Sequence, residues 1–88
     1  MLEADFVIIN RLGLHARAAA VLVQTVSRFA SEVKLEKDGV EVNGKSIMGV
    51  LMLAAPKDST VTVRVEGKDE VESMSAIEAL INDGFGEE

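Results

Sequence analysis

The 88-residue sequence predicts an α+β fold in which three helices cover one face of a four-stranded antiparallel sheet. Strand and helix patterns follow one another in the order β-α-β-β-α-β-α. The middle strands carry charged residues at every second position, as expected of a sheet with one solvated face. The length suits one domain, so we expect residues 1–88 to form a single unit.

The first strand is predicted at Phe6–Ile9, a short β-rich run that ends at polar residues. Apolar residues then recur at three- and four-residue spacing as far as Ala30, which predicts a helix with one buried stripe. The members of this stripe are Ala16, Ala19, Ala20, Val23, Val26 and Ala30.

Two strands and a short helix are predicted in the middle of the chain. Residues 32–37 and 40–42 alternate charged and apolar side chains, as strands with one wet face do. Asp38-Gly39 between them favours a hairpin, because both residues tolerate a positive φ. Ser46 is well placed to cap a helix that runs from Ile47 to about Ala54.

The last strand and helix have the clearest patterns. Thr60–Glu66 alternates over its whole length, which predicts a strand. Asp69 is the expected N-cap of the final helix, and Gly84 the expected residue at its C-terminal end. The residues predicted to face inward from this helix are Val71, Met74, Ile77, Leu80 and Ile81.

Composition excludes several classes of function. Nine Lys and Arg against fifteen Asp and Glu give a net charge of −6, which argues against a general binder of nucleic acid or of anionic membranes. Cysteine is absent, so neither a disulfide nor a thiolate is available. The most apolar segment, Ile47–Ala55, is far shorter than the ~20 residues that span a bilayer. With no basic signal at the start, we expect a cytoplasmic protein without membrane insertion.

One stretch near the start carries candidate chemistry. His15, the only histidine, lies between the first strand and the first helix, after a glycine that lets the chain turn. The free backbone N–H groups of Ala16 and Arg17 would form an anion site at the helix start. The guanidinium of Arg17 adds a charged fork that suits phosphate oxygens. A neutral imidazole there is a nucleophile beside its own oxyanion cradle.

A simpler interpretation is open from the residues alone. His15 could be a weak helix cap and Arg17 a solvated charge, since isolated histidines are common at helix ends. A metal site is disfavoured, because one histidine without cysteines offers no ligand set. We therefore expect neither a metal nor another cofactor.

The stretch Gly13-Leu14-His15-Ala16-Arg17 resembles the phosphohistidine motif of the HPr family, small phosphocarriers of the bacterial phosphotransferase system. The similarity extends to Lys45-Ser46-Ile47-Met48-Gly49-Val50 and to Asn82-Asp83-Gly84-Phe85-Gly86 near the end of the chain. The resemblance implies an open-faced β-sandwich with sheet order 1-4-2-3, in agreement with the predicted order of elements.

The resemblance also implies a function. His15 would accept a phosphoryl group on ring Nδ1 from phosphorylated enzyme I, which draws it from phosphoenolpyruvate. A IIA-type protein would then receive the group, and Arg17 would steady its oxygens during both transfers. Such a protein is a carrier rather than a free-standing enzyme, and we expect a monomer.

Two residues depart from the pattern of many family members. Ala18 stands where the family usually has proline, which leaves a backbone N–H in the first turn of the helix. Leu12 stands where sugar-pathway members often carry a small polar residue. The segment Asn10-Arg11-Leu12-Gly13 is more similar to the nitrogen-related NPr branch, so the downstream acceptor stays open.

Ser46 and the residues after it form a second candidate region. From the residues alone Ser46 is an N-cap, whereas the resemblance implies a regulatory serine modified by HPr kinase/phosphorylase. Ile47, Met48 and Met52 are either core residues or an exposed docking patch for partner proteins, and we expect partial exposure. Leu51 is assigned to the core.

Two other functions remain open. One is a purely regulatory phosphoprotein of the nitrogen-related branch, which does not feed sugar transport. The other is a regulatory module that binds a small molecule on a similar sandwich.

Overall fold

A computed structural model describes residues 1–87 and has the predicted order of elements. The strands are β1 (Leu2–Val7), β2 (Glu32–Lys37), β3 (Val40–Asn43) and β4 (Thr60–Glu66). The helices are α1 (Ala16–Val26), α2 (Ile47–Met52) and α3 (Glu70–Asn82), followed by a short 3₁₀ turn at Gly84–Gly86.

The four strands form one antiparallel sheet in the order β1-β4-β2-β3, which confirms the predicted fold class. Alternate residues of β4 are buried, because the sheet has helices on one face only. The buried core contains Leu22 of α1, Val63 of β4 and Ile77 of α3. Among residues 1–87, no helix has both the length and the apolar character needed to cross a membrane.

The open face of the sheet carries a charge cluster centred on Arg64 of β4. Its guanidinium lies 2.7 Å from Glu36 of β2, 3.0 Å from Glu41 of β3 and 3.4 Å from Glu3 of β1. One cation therefore connects acidic side chains on all three other strands.

The predicted bounds of β1 were wrong. The strand begins at Leu2 rather than Phe6 and ends at Val7 rather than Ile9. Its register pairs Leu2 with Val65 and places the acidic residues of the first segment on the open face, where they need no burial.

The helix α1 ends at Val26 rather than at Ala30, and its buried face differs from the predicted stripe. Its fully buried residues are Ala18, Ala19, Leu22 and Val26, whereas Ala16 and Ala30 are exposed. Beyond the helix, the N–H groups of Arg28 and Phe29 donate to carbonyls three residues back, and those of Ala30 and Ser31 donate to the carboxylate of Asp69 at 2.8 and 2.9 Å.

Two predictions for α3 also differ from the structure. Asp69 is at the N-cap position of α3, but its side chain makes no cap bond because Ala30 and Ser31 occupy it. Val71 is 65% exposed rather than inward-facing, and Ser73 occupies the buried face of that turn.

The helix α2 ends at Met52, before the predicted end at Ala54, whose φ of 49° is incompatible with a continuing helix.

Candidate functional site

The loop before α1 is fixed by a close backbone contact. Gly13 has a φ of 66°, and a Cβ on it would lie 2.4 Å from the carbonyl oxygen of Ala55. The same carbonyl accepts a hydrogen bond from the Leu14 N–H at 2.9 Å. Buried Asn10 closes the turn by donating to the Gly13 carbonyl at 2.7 Å. The loop therefore presents the next residue in one defined position.

That next residue, His15, is the N-cap of α1 and has an extended backbone. Its side chain makes no cap hydrogen bond, and the first helical bond runs from the Ala19 N–H to the His15 carbonyl at 2.8 Å. The N–H groups of Ala16, Arg17 and Ala18 consequently have no acceptor within residues 1–87. Three donors and the positive end of the helix dipole lie beside the imidazole.

The imidazole is engaged through one nitrogen only. Nε2 of His15 lies 2.6 Å from Oε2 of Glu87, and within residues 1–87 Nδ1 makes no hydrogen bond. The side chain retains 28% of its accessible surface, so the ring is neither sequestered nor freely rotating in solvent. An ionised carboxylate can only accept, so in the neutral imidazole this contact favours the proton on Nε2 and leaves the lone pair on Nδ1.

Glu87 is a site residue that sequence reasoning missed. Its other oxygen, Oε1, accepts from the Asn10 amide at 3.0 Å, so the carboxylate joins the turn before α1 to the last residues of the chain. Phe85 lies between two glycines and is 4% exposed, which anchors this C-terminal turn in the core. The Gly-Phe-Gly sequence was a signal for a turn near the end of the chain, but nothing in it indicated that the following glutamate contacts His15.

The charges of the site are mixed. The Asn10 amide lowers the pKa of Glu87 below its ordinary value, and the bond to His15 and the charge of Arg17 act in the same direction against partial desolvation. An open depression beside the imidazole has Arg11, Leu12 and Arg17 in its walls. Arg17 is exposed and makes no ion pair within residues 1–87. Its guanidinium is therefore available to an anion.

No metal centre is evident at this site. Within the part of the chain that the structure describes, no three His, Cys, Asp or Glu side chains come together as a group that could hold an ion. The guanidinium groups of Arg11 and Arg17 in the walls of the depression suit an anion, whereas the carboxylate of Glu87 in the same wall is already engaged by Asn10 and His15.

The second predicted site lies at the start of α2. Ser46 is the N-cap, half-buried, and its Oγ accepts from the Gly49 N–H at 3.1 Å. The preceding Lys45 is held by its Nζ, which donates to the Phe29 carbonyl at 2.8 Å. Ser46 therefore has a structural role as a cap, and its hydroxyl is not fully enclosed.

The residues of the predicted docking patch are exposed. Met48 and Met52 are each 71% exposed and Ile47 is 43% exposed, whereas Leu51 is half-buried and packs against the core. None of the three exposed residues is among those that line the depression beside His15, whose apolar residues are Leu12 and Ala16.

Comparison with known proteins agrees with this geometry. The family model for the PTS HPr component phosphorylation site matches residues 2–83. A phosphocarrier protein HPr of Cupriavidus necator is 55% identical over 87 residues, covering 99% of this chain and 98% of the relative. The residues that the family model matches include both candidate regions and end before Glu87, whereas the match to the Cupriavidus protein extends over Glu87 as well.

Solved structures show the same fold. The HPr-C-His structure of Thermoanaerobacter tengcongensis has a TM-score of 0.96 and 46% identity, covering 100% of this chain and 99% of that one. An HPr dimer of the same organism has a TM-score of 0.79 and 46% identity, covering 99% of this chain and 100% of that one. That protein has thus been crystallised as a dimer, and for the present chain a monomer stays a prediction.

Proposed function

The chain belongs to the HPr family of phosphocarrier proteins, and from this premise we propose that His15 accepts a phosphoryl group on Nδ1. The donor in this proposal is phosphorylated enzyme I, and the recipient is a IIA-type protein of the phosphotransferase system. The chain then acts in the cytoplasm as a carrier that is loaded and discharged, not as a free-standing catalyst.

One observation carries the proposal. The ring of His15 has one nitrogen held by a carboxylate and the other without a partner, at a helix start where three N–H groups are unused. A nucleophilic nitrogen and donors for the group that it receives therefore lie together. The simpler assignment of His15 as a helix cap is not favoured, because the side chain makes no cap bond.

The proposed step needs little beyond positioning. The lone pair of Nδ1 attacks phosphorus while the bond from phosphorus to the donor's nitrogen breaks, and that electron pair stays with the donor. The transferred oxygens meet the backbone N–H groups of α1 and the guanidinium of Arg17, which offset their negative charge. On discharge, a nucleophilic group of the next protein attacks the phosphorus while the Nδ1–phosphorus bond breaks, and that electron pair returns to Nδ1.

The direct test is incubation with enzyme I and phosphoenolpyruvate, followed by mass spectrometry under alkaline conditions. We expect one acid-labile phosphate on His15 and none in the variant His15→Ala, whose circular dichroism should match that of the parent chain. Phosphate on any other residue in that variant would contradict the proposal.

The role of Arg17 has a matched control in the same depression. Arg17→Ala should slow phosphorylation by roughly tenfold to a hundredfold, because a donor to the transferred group is lost. Arg11→Ala removes an equal charge from the same wall and should have a much smaller effect. Equal losses of rate in the two variants would contradict a specific role of Arg17 and would mean that only the summed positive charge of the depression matters.

Regulation through Ser46 is a second proposal, favoured by the position of its half-buried hydroxyl on the Gly49 N–H. We propose phosphorylation there by HPr kinase/phosphorylase. The added charge of about −2 would change how partners dock on the exposed Ile47, Met48 and Met52. Ser46→Asp should slow phosphorylation by enzyme I, whereas Ser46→Asn keeps a cap without the charge and should not.

Two alternatives are separated by the outcome of reconstitution. Transfer to His15 without phosphorylation of any sugar would favour a regulatory protein of the nitrogen-related branch. No phosphate on His15 at all would favour a module that binds a small molecule.

A further inference from the structure

The carboxylate of Glu87 contacts both the imidazole of His15 and the side chain of Asn10 in the preceding turn. One oxygen lies 2.6 Å from Nε2 of His15, and the other accepts from Asn10 at 3.0 Å. Glu87 is 72 residues from His15 in the chain and lies beyond the residues that the family model matches. The family model therefore does not describe this residue.

We propose that Glu87 is a positioning residue that keeps the proton of the His15 ring on Nε2 and so directs the lone pair of Nδ1 to the incoming phosphorus. This proposal rests on the proposed function, because it concerns the same transfer. In the transfer the Nδ1–phosphorus bond forms, the donor's phosphorus–nitrogen bond breaks, and the Nε2 proton stays on the ring. The carboxylate neither gains nor loses a proton.

The surroundings of Glu87 hold it in place for this role. Its N–H donates to the Gly84 carbonyl at 3.0 Å, and the buried ring of Phe85 anchors the turn between them. The Asn10 side chain is 1% exposed and is itself fixed by the Gly13 carbonyl. The hydrogen bond from this amide favours the ionised carboxylate, consistent with the lowered pKa of Glu87.

A charge argument gives the direction of the effect. When Nδ1 shares its lone pair with phosphorus, the ring becomes more positive, and a carboxylate on Nε2 stabilises that charge. Glu87 also repels the arriving phosphoryl oxygens, which would have the opposite effect on loading. Its contact is with the nitrogen that does not react, and the positive charge of Arg17 acts on Glu87 and offsets part of the repulsion, so we expect stabilisation to dominate.

The first test measures the ring without any transfer. Nitrogen-15 NMR of the unphosphorylated protein above neutral pH distinguishes the two neutral tautomers of His15. We expect the Nε2–H form alone in the parent chain and a mixture of both forms in Glu87→Ala. Glu78→Ala is the matched control, because Glu78 is an exposed glutamate of α3 with no ion pair within residues 1–87. An unchanged tautomer in Glu87→Ala would overturn the proposal.

The second test measures the equilibrium of transfer with enzyme I. Glu87→Gln keeps an acceptor near Nε2 but removes the charge, so the equilibrium constant for loading His15 should fall about fivefold to tenfold. Glu78→Gln should leave it unchanged. A higher constant in Glu87→Gln would show that repulsion dominates and would sink the proposal. If the parent chain itself is not phosphorylated, the proposed function fails, while the tautomer measurement still decides the role of Glu87.

Discussion

The starts of α1 and α2 differ in how they treat the free N–H groups that every helix has. Ser46 at the start of α2 accepts a hydrogen bond from the Gly49 N–H through its own side chain. His15 at the start of α1 makes no such bond, although both residues have extended backbones. One helix start is therefore satisfied by its own side chain, whereas the other keeps unused donors. A satisfied cap stabilises its helix, whereas an unsatisfied one leaves donors for a ligand.

The start of α1 depends on rigid support from the preceding loop. A substitution that removes this support should have the largest effect. Gly13→Ala should destabilise the protein by about 2–3 kcal/mol, because its positive φ and its close approach to the Ala55 carbonyl both resist a Cβ. Gly39→Ala is the control, since its φ is also positive but nothing lies within 4 Å of the added atom. Urea unfolding of both variants measures the difference, and equal losses would show that the contact with Ala55 is unimportant.

Removal of the satisfied cap should have a smaller effect. Ser46→Ala should lower the free energy of unfolding by about 1 kcal/mol, since the Gly49 N–H loses its acceptor. The rate of phosphorylation of His15 should stay close to that of the parent chain, because this cap belongs to the other helix. Denaturant unfolding checks the loss of stability, and a phosphorylation assay checks the rate. A chain as stable as the parent would show that water replaces the hydroxyl at no cost.

A capping residue introduced at the start of α1 should stabilise that helix. His15→Ser should be more stable than His15→Ala by about 0.5–1 kcal/mol, because serine can accept from the first turn of α1. Both variants lose the contact with Glu87, so their difference isolates the cap. If thermal unfolding finds them equal, the N–H groups of α1 are already satisfied by water.

The start of α3 is a third case, with the smallest expected effect. The bonds from Ser31 and Ala30 lower the pKa of Asp69 below its ordinary value of 3.8. A lowered pKa in the folded state means that this stabilisation is present above pH 3.8 and is lost as the pH falls through the lower folded value.

Asp69→Asn should therefore lower the midpoint of thermal unfolding at neutral pH. The difference from the parent chain should shrink on acidification below 3.8. Other carboxylates contribute to the acid response of both chains, so only the difference between them reports on Asp69. A difference that is constant with pH would contradict the role of its charge.

The sequence predicted what depends on local pattern. The bounds of β4 at Thr60–Glu66 were correct because alternation continues over the whole strand. Ser46 was correctly placed as a cap because the N–H that donates to its hydroxyl is only three residues away, on Gly49. The order of the sheet came from family resemblance, since alternation cannot show which strands are neighbours.

What the sequence did not predict depends on distant partners. Asp69 has a typical cap position, but its carboxylate binds Ala30 and Ser31, 39 and 38 residues away. Glu87 is another acidic residue in an acidic chain, and only the folded turn brings it to His15. Ala30 was predicted to belong to the stripe of α1, but it lies beyond the helix and its N–H donates to the same distant carboxylate.

The anchoring of the C-terminal turn by one buried ring has a dynamic consequence. The turn at Gly84–Gly86 joins no strand, so it can open locally at a lower free-energy cost than global unfolding requires. Withdrawal of the Phe85 ring would release Glu87 and leave the sheet intact. The contact between Glu87 and the imidazole therefore depends on how well a single phenyl group fits its place in the core.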